Sequence, residues 1–96
     1  MSMPELPPRR RATALSYRDG VNRAPVVAAT GAGLIAERII EAAREAGVPV
    51  RRDPALAQAL SALELGTEVP PVLYAAVAEA LAWAYRVNAQ AQKRSG

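Results

Sequence analysis

The stretch Ala24-Pro25-Val26-Val27-Ala28-Ala29-Thr30-Gly31-Ala32-Gly33-Leu34-Ile35-Ala36 decides the fold. Four apolar residues, Val26 to Ala29, follow a proline. A run this short and this apolar reads as a strand covered on both faces. Helical spacing then takes over across 31–46. With roughly 100° between successive residues, Glu37, Arg38, Glu41, Arg44 and Glu45 share one arc. Ile35, Ala36, Ile39, Ile40, Ala42, Ala43 and Ala46 fill the opposite side. Gly47 stops this helix, and Pro49 prevents its continuation.

On the C-terminal side, Val48-Pro49-Val50-Arg51-Arg52 reads as a further strand, with Pro49 at its tolerated start. Strand, crossover helix and strand make a βαβ unit, expected parallel and right-handed. Asp53-Pro54 opens a second helix, with Asp53 as its cap and Pro54 at its first position. Its apolar stripe is Leu56, Ala59, Leu60 and Leu63, and Gly66 ends it. Pro70-Pro71 opens a third helix running to about Asn88. On the N-terminal side, residues 12–18 alternate, with Thr13, Leu15 and Tyr17 on one face, and predict a half-buried strand closed by an Asp19-Gly20 turn. Residues 1–11 carry Pro4, Pro7 and Pro8 and then Arg9, Arg10 and Arg11, the composition of a flexible basic arm. Residues 89–96 form a polar tail. The expectation is one α/β domain over 12–88, with a small three-stranded sheet containing the βαβ unit and about three flanking helices.

Composition narrows the chemistry. The chain has 96 residues, no cysteine and no histidine. Disulfides, thiolate or imidazole metal sites and Ser-His or Cys-His nucleophile pairs are therefore excluded. The net charge of +3 comes largely from arginine runs near the termini. Such runs are ordinarily solvated, and no aromatic residues interleave with them as a stacking platform for nucleic acid requires. The longest apolar stretch, Leu73 to Ala84, is interrupted by Glu79 and is too short to span a membrane. The N-terminus lacks the apolar core of a signal peptide, so a cytoplasmic protein is expected.

The third helix is unusually apolar. Leu73, Tyr74, Val77, Ala78, Leu81, Ala84 and Tyr85 cover one broad arc. Ala76, Ala80, Trp83 and Val87 make a second side, leaving Glu79 and Arg86 to mark the polar one. Such a helix is either enclosed, or it offers a face to a partner, or its alanines simply tolerate water.

Two constellations could carry ligands. Gly31-Ala32-Gly33 sits between a strand and a helix, where an anion- or nucleotide-binding α/β protein would hold phosphate. Asp53, however, is better explained as a helix cap than as a ribose ligand, and the chain has too few strands for a dinucleotide fold. Glu37, Glu41 and Glu45 recur on one helical face, but Arg38 and Arg44 stand among them, which favours a solvated surface over a metal site. No cofactor is expected.

The ordered set of segments is recognisable. Ala14-Leu15-Ser16-Tyr17 leads to Ala24-Pro25-Val26-Val27-Ala28, Gly31-Ala32-Gly33-Leu34-Ile35-Ala36 and Ala46-Gly47-Val48-Pro49-Val50. Asp53-Pro54-Ala55-Leu56-Ala57-Gln58-Ala59-Leu60 and Leu65-Gly66-Thr67-Glu68-Val69-Pro70 follow, and Leu73 to Trp83 close the set. Over residues 12–87 this resembles the cytoplasmic domain of the FlhB/YscU/SpaS export-switch family of type III secretion.

The resemblance implies a small sheet flanked by helices, sited beneath the secretion gate at the inner face of the membrane, that helps switch export from early to late substrates. Its implied partners are the cytoplasmic parts of the export gate and early export substrates. The family's apolar docking patch carries over to Ala24, Pro25, Ala78 and Leu81. Family members cleave themselves at Asn-Pro-Thr-His. The matching positions here are Pro7, Pro8, Arg9 and Arg10, and neither Asn22 nor Asn88 precedes a proline, so that chemistry is absent. Thr30 stands where the family commonly has lysine. The strand that precedes the cleavage motif in the family is also missing, which implies three strands where the family has four and an unpaired sheet edge open to a strand of another chain. A non-enzymatic, free-standing binding module is the reading these features support together.

Overall fold

The computed structural model describes residues 10–18 and 20–95. The arm at 1–9, including Pro7, Pro8 and Arg9, lies outside the described residues. Strand β1 (Arg11–Ser16) pairs antiparallel with β2 (Val26–Ala32). Thr13 stands opposite Thr30 and Ala14 opposite Ala29, after which the register shifts and Leu15 faces Val27. The shift is a bulge that leaves Ala28 without a partner on β1. Between the strands the chain turns at Arg18, whose carbonyl accepts from the Val21 and Asn22 N–H groups. Asn22 closes the turn in return, its Oδ1 accepting from the Arg18 N–H at 2.9 Å.

Hydrogen-bond alternation gives β1 two unlike edges. The Arg10 carbonyl accepts from the Gly33 N–H at 2.8 Å, so the even-numbered residues Ala12 and Ala14 bond to β2. Arg11, Thr13 and Leu15 then direct their N–H and C=O groups away from β2. No backbone partner meets them there among the described residues.

Side-chain alternation gives the sheet two faces. Leu15 packs against a core of Leu60, Val69 and Val77, and its neighbour Val27 is fully buried. The opposite face carries Ala12 and Gly31 and is covered by α1 (Leu34–Glu45), which contacts both strands. A Cβ on Gly31 would collide with the Ile35 side chain, so the glycine permits this close approach. Gly33 joins strand to helix at φ 62°, in the left-handed region. The helix begins later than its periodicity suggests because β2 continues through Gly31 and Ala32, which pair with Ala12 and Arg11.

The expected third strand at 48–52 is not formed, and with it goes the parallel βαβ unit. Pro49 has no N–H to offer, and the Val48 N–H turns back to the Ala43 carbonyl at 2.8 Å, finishing the helix. The second edge of β2 is taken instead by 66–69. Gly66 N–H donates to the Val27 carbonyl, Val27 N–H to Thr67, and Val69 N–H to Pro25. This contact amounts to one bridge, Val26 to Glu68, beside a two-stranded sheet.

Helix α2 (Pro54–Leu60) starts as its sequence demands, with Asp53 Oδ1 accepting from the Leu56 N–H at 3.1 Å. A single 3-10 turn at Pro71–Leu73 leads into α3 (Tyr74–Ser95), which runs past the Asn88 end expected from its polar tail. Among the described residues the fold is thus mixed α/β, three helices around a two-stranded antiparallel sheet. No helix in them is long and apolar enough to cross a membrane.

Candidate functional site

Helix α3 places its apolar arc against two different environments. Val77 is buried in the core, and Leu73 and Leu81 pack against that core from its edge. The next positions around the helix, Tyr74, Ala78, Ala82 and Tyr85, are exposed. They form one wall of an apolar groove of about 370 Å³. The other wall is the end of the β1–β2 connection, where the Arg18–Asn22 turn delivers Ala24 and Pro25 to the start of β2. Pro25 is fixed there because its carbonyl accepts from the Val69 N–H at 2.8 Å.

All four expected docking residues therefore line one groove. Ala24 is buried at its base, Pro25 and Leu81 are half-buried, and Ala78 is exposed. The groove also holds residues that sequence reasoning did not assign to it. Tyr74, Val77 and Tyr85 were legible as members of the apolar arc of α3 but not as groove residues. Tyr17, Arg23 and Ala82 gave no signal, because their convergence depends on how the β1–β2 turn meets α3. No hydroxyl of Tyr17, Tyr74 or Tyr85 is hydrogen-bonded among the described residues, although Tyr74 and Tyr85 are 43% and 57% exposed. The lining combines small residues at the base with amphipathic rings at the rim, and holds no carboxylate among the described residues.

The remaining candidates come out differently. Gly31 and Gly33 are explained by the Ile35 contact and the positive φ, and neither lines the groove. Glu37, Glu41 and Glu45 border a second, polar depression together with Arg10 and Arg44, so cations already stand among the carboxylates. No group of acids, histidines and cysteines able to hold a metal occurs among the described residues. Of the positions matching the cleavage motif, only Arg10 is described, just ahead of β1.

This arrangement, three helices around a two-stranded antiparallel sheet, is that of an export-switch C-terminal domain. The chain belongs to the FlhB HrpN YscU SpaS family, whose model matches residues 7–84. It is 46% identical over 82 residues to the flagellar biosynthetic protein FlhB of Escherichia coli, covering 84% of this chain and 22% of that protein. It thus spans about a fifth of the FlhB relatives it matches. With the uncharacterized protein YlqH of Bacillus subtilis it shares 38% identity over 86 residues, covering 90% of this chain and 92% of that one. Among solved structures, the PscU C-terminal domain superposes with a TM-score of 0.75 at 32% identity, over 79% of this chain and 98% of that domain. A variant of the EscU C-terminal domain gives 0.77 at 29% identity, over 80% and 94%.

Proposed function

We propose that this chain is a non-catalytic protein-binding module of the flagellar or type III export apparatus, working in the cytoplasm at the inner face of the membrane. Its groove receives early export substrates, and its partners in the machine are the cytoplasmic parts of the export gate. The observation that carries this reading is the convergence of Ala24, Pro25, Ala78 and Leu81 on one open apolar groove. A groove with an apolar base and a tyrosine rim suits a short protein segment, since such rings give large contact area at low entropic cost. The absence of histidine and cysteine from the chain fits a role without nucleophilic or imidazole chemistry. The outward edge of β1 offers a second contact, a row of backbone groups without a partner among the described residues and suited to an extended strand of another chain.

The test is a pull-down of named components, purified early substrates and the cytoplasmic domains of the export gate, with this chain as bait. Ala78→Asp is the informative variant, because Ala78 is exposed and its replacement leaves the core intact. Capture of a substrate by the wild type and its loss in folded Ala78→Asp is the expected result. Equal capture by both proteins would place the binding surface elsewhere, and no capture by either would remove the function proposed.

A further inference from the structure

Among the described residues the groove has one charged lining residue. Arg23 stands at its mouth on the wall formed by the β1–β2 connection, beside Ala24 and Pro25. Its side chain is exposed, and no carboxylate lies within ion-pair distance of it among the described residues. The one ion pair among the described residues lies elsewhere, where Arg51 meets Glu79 at 3.8 Å, and Arg10 and Arg44 line a separate depression with three glutamates. Among the described residues the groove thus joins an apolar base to a single cation. Its tyrosine rim has exposed hydroxyls that can bond to a peptide backbone.

We infer that the occupant is a protein segment carrying an acidic side chain next to its apolar anchor, and that Arg23 selects for that acid. This rests on the groove being the docking site proposed above. The apolar anchor fills the base over Ala24, Pro25 and Leu81, where burial of carbon surface supplies affinity. The neighbouring carboxylate meets Arg23 at the rim, where water still reaches both charges. A charge pair of this kind chooses between partners and speeds their encounter more than it tightens the complex. Segments with a basic residue in that place are disfavoured by like-charge repulsion.

The experiment uses the full chain and two short blocked peptides, each with two leucines flanking a variable position, glutamate in one and lysine in the other. Affinity is read from the Tyr and Trp fluorescence change or from amide shifts at Ala24, Ala78 and Ala82. At about 0.01 M salt, where charges act over roughly 30 Å, the glutamate peptide is expected to bind about fivefold tighter. At about 1 M salt the ratio is expected to collapse toward one while leucine-driven binding persists. Arg23→Glu is expected to reverse the preference, and this exposed substitution leaves the core untouched. Equal binding of both peptides at low salt, or an unchanged preference in Arg23→Glu, would overturn the role of Arg23 while the groove stands. No binding of either peptide, with amide shifts absent from the groove, would remove the groove reading itself.

Discussion

Arg51 stands over the Trp83 ring at 6.0 Å from its centroid, and this contact ties the unpaired segment 48–52 to helix α3. The same guanidinium reaches Glu79, with Nη2 3.8 Å from Oε1 and Nη1 3.5 Å from the Glu79 carbonyl. A segment that has no ladder is thereby held by the Arg51 side chain together with the Val48 N–H bond to the Ala43 carbonyl. Cation–π contacts at partly exposed sites contribute about 0.5–1 kcal/mol, and exposed ion pairs contribute less. Arg51→Ala is expected to lower unfolding stability by about 1 kcal/mol, and Glu79→Gln by under about 0.5 kcal/mol. Trp83 is the only tryptophan, so denaturation followed by its fluorescence reads both effects directly.

Gly31 and Ile35 form a coupled pair. A Cβ at 31 collides with Ile35, so Gly31→Ala forces the helix or that side chain to move, at about 1–3 kcal/mol. Ile35 is 59% exposed, so Ile35→Ala alone costs little. The double variant Gly31→Ala/Ile35→Ala is expected to recover at least half of the loss, measured as non-additivity in urea unfolding. Additive costs would mean that the glycine serves something other than this contact.

Gly33 presents a different constraint. No atom lies within 4 Å of a Cβ placed there, so the cost of Gly33→Ala is purely that of its φ of 62°. The expected destabilisation is about 1–3 kcal/mol, and Gly33→Asn should cost as much, because asparagine's tolerance of positive φ is for ψ of about +45° and Gly33 has ψ −128°. Chemical denaturation of the two variants side by side separates backbone strain from steric conflict.

The core is small, so single truncations weigh heavily. Leu60 is 3% exposed and joins Val69 and Val77. Leu60→Ala is expected to cost about 2–4 kcal/mol, a large part of the stability of a domain of this size. Val72, 85% exposed, is the control, and Val72→Ala should fall within about 0.5 kcal/mol of wild type. Thermal unfolding of the pair is the measurement.

The open edge of β1 predicts an alternating exchange pattern. Amides of Ala12 and Ala14, bonded to β2, should exchange slowly, and those of Arg11, Thr13 and Leu15 quickly. Hydrogen exchange read residue by residue in the monomer checks this. Uniform protection along β1 would mean that residues 1–9 or a second copy cover the edge.

Much of this was legible in the residues, and the failures have physical causes. Local chemistry read correctly: Asp53-Pro54 capped α2, and the alternation across 12–18 placed Leu15 toward the core. The strand at 48–52 failed because its composition, two valines around a proline, satisfied β-propensity without a partner to pair with. Propensity describes the fit of a side chain to a sheet, not the presence of a neighbouring strand. The bridge at 66–69 was missed for the converse reason, since Gly66 and Glu68 have weak strand character and the segment pairs through backbone groups. The four groove residues came from resemblance. Nothing in their own periodicity separated Ala78, which is exposed, from Val77, which is not.

The groove joins parts of the chain that are distant in sequence, Arg23 to Pro25 on one side and Tyr74 to Tyr85 on the other. Neither wall exists in the unfolded chain, so whatever occupies the groove binds only the folded form and acts as a clasp across it. An occupant at about a hundred times its dissociation constant adds about 2.7 kcal/mol to stability. For a domain this small, that increment rivals the contribution of its largest core side chain. The level of that occupant would then govern how long each copy survives proteolysis.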